Sequence, residues 1–114
     1  MQIRNLDPSI FRATDSYGSV GLSVLGLVRA ETLAVTVLRV APGGEVARHP
    51  TVVDQLFIVV EGSGESCGAD GAFEPVAPGQ AVIWTAGEEH TTRSTIGLAA
   101  IVIEAPDLAA FLTR

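Results

Sequence analysis

The chain contains no lysine: its seven basic residues are Arg4, Arg12, Arg29, Arg39, Arg48, Arg93 and Arg114. Schiff-base chemistry on a side-chain amine is thereby excluded, and so is a phosphate-gripping P-loop. The arginines are scattered, and 13 acidic residues bring the formal net charge to −6. A nucleic-acid partner needs a basic stripe that displaces counterions from phosphates, and no such stripe exists. With Cys67 as the only cysteine, no intrachain disulfide can form. No base or positive neighbour stands close in sequence to activate Cys67, so it reads as an ordinary strand residue, and a free thiol suits a reducing cytoplasm. Long apolar runs are missing too. The longest, residues 20–28, is interrupted by Ser23 and Gly26 and falls well short of the roughly 20 residues that cross a bilayer. Residues 1–8 lack the apolar core of a secretory signal. The expectation is a cytoplasmic protein that touches neither membrane nor nucleic acid.

What is present points to one all-β domain over residues 1–114. A chain of this length buries roughly two thirds of its unfolded surface, enough for one core. The composition is 47% hydrophobic and only 18% charged, which excludes a disordered chain. Glycines, prolines and short β-branched runs recur at intervals of roughly ten residues, as in a sandwich or barrel. The pattern predicts strands over 20–29, 33–40, 55–61, 72–76, 80–84 and 96–104, with a turn at Pro42-Gly43-Gly44. Asp70-Gly71 favours a hairpin tip. Pro106 and Asp107 suit the start of a short helix over 106–112.

Several strands are apolar on both faces. Leu56, Ile58 and Val60 alternate with Phe57 and Val59, and residues 99–103 read Ala-Ala-Ile-Val-Ile. A lone barrel with a wet exterior alternates apolar with polar residues. Something therefore covers the outside, and a second copy of the chain, a homodimer, is the expected cover.

The chain has two histidines, each in a stretch punctuated by proline and glycine. Around the first stand Gly43, five residues, His49, one residue, Thr51, three residues, Gln55, six residues and Gly62. Around the second stand Gly79, five residues, Thr85, Ala86, Gly87, two residues, His90, three residues and Ser94. This spacing resembles the two motifs of the cupin family throughout. The resemblance implies a double-stranded β-helix barrel, a conical jelly roll, which in short members typically pairs as a dimer through an outer sheet face.

In metal-binding cupins the ligands are two histidines and a glutamate from the first motif and a histidine from the second. By position this chain keeps His49 and His90, and replaces the other two by Thr51 and Gln55. The resemblance thus implies a metal site of His49, Gln55 and His90, with Thr51, Phe57 and Trp84 lining the pocket. Imidazole nitrogen suits Zn, Fe, Ni, Mn or Cu, and a glutamine oxygen can serve as a neutral ligand. Such a dication would lack an anionic ligand and would rely on water, a carboxylate substrate, or Asp54, Glu88 and Glu89. The bland alternative has His49 and His90 as hydrogen-bonded pocket residues, with Thr51 and Gln55 satisfying buried polar atoms. Arg48 could meet an anionic ligand or form a surface ion pair. Tyr17 sits in a polar stretch with no role readable from its neighbours.

Three functions fit these residues. The first is a barrel that binds a small polar or anionic molecule, with or without a divalent metal. The second is a metal-dependent oxygenase or isomerase acting on a small metabolite, and the third a metal-free binding or regulatory module. The residues leave open whether a reaction is catalysed, because function lives in the site rather than the fold.

Overall fold

The structure, a computed structural model, describes residues 1–108. Nine strands follow one another: β1 (Arg12–Thr14), β2 (Val20–Arg29), β3 (Ala34–Pro50), β4 (Gln55–Gly62), β5 (Gly64–Cys67), β6 (Glu74–Val76), β7 (Ala81–Trp84), β8 (Glu89–Arg93) and β9 (Leu98–Glu104). Every pairing is antiparallel, in the order β6-β5-β8-β3-β9-β4-β7, with β2 on β3 and β1 on β2. The sheet curls into a nearly closed barrel, the all-β architecture expected. Its two ends, β6 and β7, do not pair, and a groove of about 1000 Å³ lies between them, lined by residues of β5, β6 and β7. Helical structure among the described residues consists of short 3₁₀ turns at Pro8–Ile10 and Ser16–Gly18, with Leu108, the last of these residues, helical. The helix expected over 106–112 falls largely outside the described residues.

Most predicted strands appear at their expected places, with two corrections. Pro42-Gly43-Gly44 does not reverse the chain: β3 runs straight through it for 17 residues. Its first half pairs with β9 and its second with β8, so the glycines form a corner at which one strand changes partners within the curled sheet. Gly43 adopts φ +79°, and a Cβ on Gly44 would meet the Val20 and Ala41 carbonyl oxygens at 2.7 and 2.8 Å. Only glycine fits where backbones approach this closely. The second correction is β8, a strand that the pattern does not predict and that carries His90.

Cross-strand register stacks the interior in layers. Val40 faces Leu98, and Leu38, Ala100 and Val59 form the next layer, all buried. Each such aliphatic side chain contributes about 1.5–3 kcal/mol on burial. Two residues further along every strand come Thr36, Val102 and Phe57. The last layer runs Arg29, Ala34, Glu104, Gln55 and Trp84 across β2, β3, β9, β4 and β7. The interior therefore turns from aliphatic to polar along the barrel axis.

The outer face stays apolar in the same register. Val28, Val35, Ile103, Leu56 and Ile83 form one continuous row across β2, β3, β9, β4 and β7. Val28, Val60 and Ile83 are among the exposed large hydrophobics of this surface.

Candidate functional site

Strands β3 and β8 bring the two histidines face to face, for His49 and His90 are direct cross-strand partners. Their ring centroids lie 4.3 Å apart at an interplanar angle of 55°. His49 is half-buried and His90 is 3% exposed. Both rings are held the same way. His49 Nδ1 lies 2.7 Å from the Ala47 carbonyl oxygen, and His90 Nδ1 lies 3.2 Å from that of Glu88, each two residues back in the chain. A carbonyl only accepts, so each Nδ1 carries the proton and donates it. Each Nε2 therefore keeps a lone pair, as in ligating and hydrogen-bond-accepting histidines.

Aromatic rings extend the pair on both sides. Tyr17 stacks on His49 at 4.2 Å with the rings within 2° of parallel, and Trp84 stacks on His90 at 4.2 Å. Phe57 meets Trp84 edge-on at 5.7 Å. Burial pushes the His90 pKa down to about 4, the Glu88 carbonyl opposing this shift and the neighbouring His49 and Arg48 adding to it. His90 is thus neutral at physiological pH. Tyr17 reaches its position through a left-handed backbone (φ 61°), with the Thr14 and Ser16 hydroxyls bonded at 2.8 Å beneath it. A non-glycine residue in this conformation is uncommon and clusters at ligand sites. Its polar sequence neighbourhood gives no hint of this placement.

His49, Gln55, Phe57, Trp84 and His90 all line one cavity of about 450 Å³. Thr51 does not line it. The Thr51 hydroxyl donates to the Thr85 carbonyl at 2.9 Å, and its backbone bonds to Glu88 and Gly87. It has left the extended strand that would have aimed it alongside His49, and instead fastens the turn between β7 and β8.

The structure also relocates the charges. Asp54 accepts from the Ala86 amide at 2.9 Å and Glu88 from the Thr85 amide at 3.1 Å, while Glu89 pairs with Arg48 on the surface at 2.9 Å. None of these acids lines the cavity. Glu104 does, as the cross-strand partner of Gln55. Gln55 Nε2 donates to Glu104 Oε1 across a long 3.4 Å, which turns the amide oxygen the other way. That oxygen, Oε1, is buried and has no hydrogen-bond partner among the described residues. A buried acceptor left unpaired costs about 1–3 kcal/mol. Two guanidiniums, Arg12 and Arg29, line the same cavity and have no ion pair or hydrogen bond among the described residues. Glu104, Arg12 and Arg29 come together only through register, which residue spacing along the chain does not carry.

The donor set tests the fit of a resident dication. Two imidazole nitrogens, one neutral amide oxygen and the Glu104 carboxylate line the cavity, but Glu104 Oε1 accepts from Gln55, the hydroxyl of Thr51 is committed elsewhere, and no group of three or more His, Cys, Asp or Glu is placed to hold a metal ion among the described residues. The set does not fit a four-ligand centre.

Residues 36–104 match the family model of the cupin domain. No curated protein matches the chain. Among solved structures, it is similar to a cupin superfamily protein from Desulfitobacterium hafniense (TM-score 0.73, 17% identity, 94% of each chain covered). It is also similar to a polyketide cyclase from Streptomyces resistomycificus, with TM-score 0.74 and 21% identity over 91% of this chain and 80% of that one. A predicted oxalate decarboxylase from Thermotoga maritima gives TM-score 0.75 and 18% identity over 83% of this chain and 90% of that one. At these identities the likeness establishes the fold and no activity.

Proposed function

The chain belongs to the cupin family, and from that footing we propose that it is a binding protein whose barrel cavity takes a small organic acid. One observation carries the reading: in a chain of net charge −6, two arginines without partners among the described residues open onto the cavity that holds both histidines. Guanidinium matches a carboxylate bidentately, with charge-assisted bonds stronger than neutral ones. The cavity volume of about 450 Å³ falls in the range of small-molecule sites. Binding is favoured over proton-transfer catalysis because a general base works best with a pKa near the working pH, whereas burial takes His90 down to about 4.

Calorimetric titration with a panel of short carboxylic acids and their methyl esters tests the reading. The acids bind, the esters do not, and Arg29→Ala weakens the acids by about tenfold or more, the loss of one charge-assisted contact. Equal binding of acids and esters sinks the proposal. A second reading, a divalent cation on His49, Gln55 and His90, is favoured by the unpaired Gln55 oxygen. Elemental analysis of protein purified without added metal decides it, substoichiometric metal counting against. We propose further that the apolar outer row across β2, β3, β9, β4 and β7 is covered by a second copy of the chain. Light scattering then gives twice the chain mass, and a monomer at high concentration refutes it.

A further inference from the structure

The two walls of the cavity have opposite hydrogen-bonding character. On one side stand Arg12 and Arg29, which can only donate. On the other stand His49 Nε2, His90 Nε2, Gln55 Oε1 and the Glu104 carboxylate, which accept. Arg29 and Glu104 sit in one layer. Arg29 pairs with Ala34 and Ala34 with Glu104, so cation and anion are separated by a single strand. Neighbouring strands lie about 4.8 Å apart, which puts the two backbones roughly 10 Å from each other. Between them Ala34 offers only a methyl group. Arg29 and Glu104 form no ion pair with each other, and the buried Gln55 oxygen beside Glu104 still needs a donor.

A carboxylate alone would satisfy the arginine side and leave the buried Gln55 Oε1 without a donor, at the cost of an unpaired buried polar atom. We infer that the ligand is a zwitterion, a short amino acid. Its carboxylate meets Arg29 and Arg12, and its ammonium donates to Glu104 and Gln55 Oε1, with a histidine Nε2 in reserve for the third proton. An ammonium has three donors and no acceptor, the complement of that wall. This rests on the reading of the cavity as a small-acid site and narrows it to one class.

The test is calorimetric titration of the full chain with glycine, β-alanine and γ-aminobutyrate. These are set against propionate and butyrate, which lack the ammonium, lactate, which replaces it with a hydroxyl, and propylamine, which lacks the carboxylate. One amino acid binds at least about tenfold more tightly than the carboxylate of matching length, the difference expected for a paired against an unpaired buried group. Glu104→Gln removes that advantage: amino-acid affinity falls at least about tenfold relative to propionate and butyrate, which still bind. A misfolded variant would lose both, so the selectivity ratio separates the two causes. If the simple carboxylates bind as tightly as the amino acids, the zwitterion is wrong and the small-acid reading stands. If lactate equals the best amino acid, a hydroxyl suffices and the zwitterion again fails. Should none of the acids bind, both readings fall. Zinc or nickel chloride is titrated in parallel. Amino-acid binding that requires either metal and disappears on chelation overturns the direct ammonium contact.

Discussion

The two ends of this barrel are built on the same strands and serve opposite purposes. Towards one end, Val40, Leu98, Leu38, Ala100 and Val59 close the interior with aliphatic side chains. Four residues further along β3, β9 and β4 the same inward positions carry Ala34, Glu104 and Gln55, and the space opens into the cavity. The first end is filled, whereas the second holds an acceptor and cations without partners among the described residues. Stability and recognition are thus separated along the axis. Natural proteins accept such local conflicts at functional sites and compensate for them elsewhere.

The sharpest way to break this separation is to damage the closed end. Leu98→Ala should destabilise the fold by about 3 kcal/mol through lost burial and a residual cavity, as read by urea denaturation, while the folded fraction still binds the acid. Loss of affinity per folded molecule would show that the ends are not independent.

Next in size comes pH. His90 is at about 4 in the folded protein against 6.5 for its unperturbed value, its charged form disfavoured by burial. Between these values the unfolded chain binds the extra proton and the native one does not, so stability rises with pH across that window. It is complete above about 6.5 and lost as pH falls towards about 4. The effect is about 2 kcal/mol after allowance for solvent screening. Melting temperature followed from pH 7 downward measures it, and His90→Gln should flatten the profile. A profile unchanged by that substitution would remove His90 as the cause.

The smallest expected change runs the other way. Gln55→Met deletes the unpartnered amide oxygen from the open end, along with only a long 3.4 Å bond to Glu104, and should stabilise the protein by about 1 kcal/mol while abolishing acid recognition. Destabilisation of that size would mean that the amide is satisfied in solution.

The sequence carried the fold further than the site. Strands β2, β4, β7 and β9 announce themselves because aliphatic runs end at glycine or proline. Strand β8 escapes that reading because its buried side chains are His90, Thr91 and Thr92, so no hydrophobic alternation marks it. The glycines at 43 and 44 carry the composition of a turn and act as a corner, and only the distant partners of β3 tell the two apart. The resemblance to the cupin motifs points to His49, Gln55 and His90, which line the cavity. Glu104 and Arg29 fall outside it, since they meet across a layer whose members are far apart in the chain. Thr51 was expected beside His49, but the chain leaves the strand after Pro50.

The unjoined edges β6 and β7 give this vessel a property that a fully laced barrel lacks. Every stave except these two is tied to neighbours on both sides or carries β1 and β2 as a flap. Girth can therefore change by sliding side chains over one another across the seam, without rupture of any inter-strand backbone bond. Trp84, at the end of β7, stands both on that seam and against His90. A guest that swells or tightens the interior would move the indole first, which makes its fluorescence a built-in gauge of how wide the barrel stands.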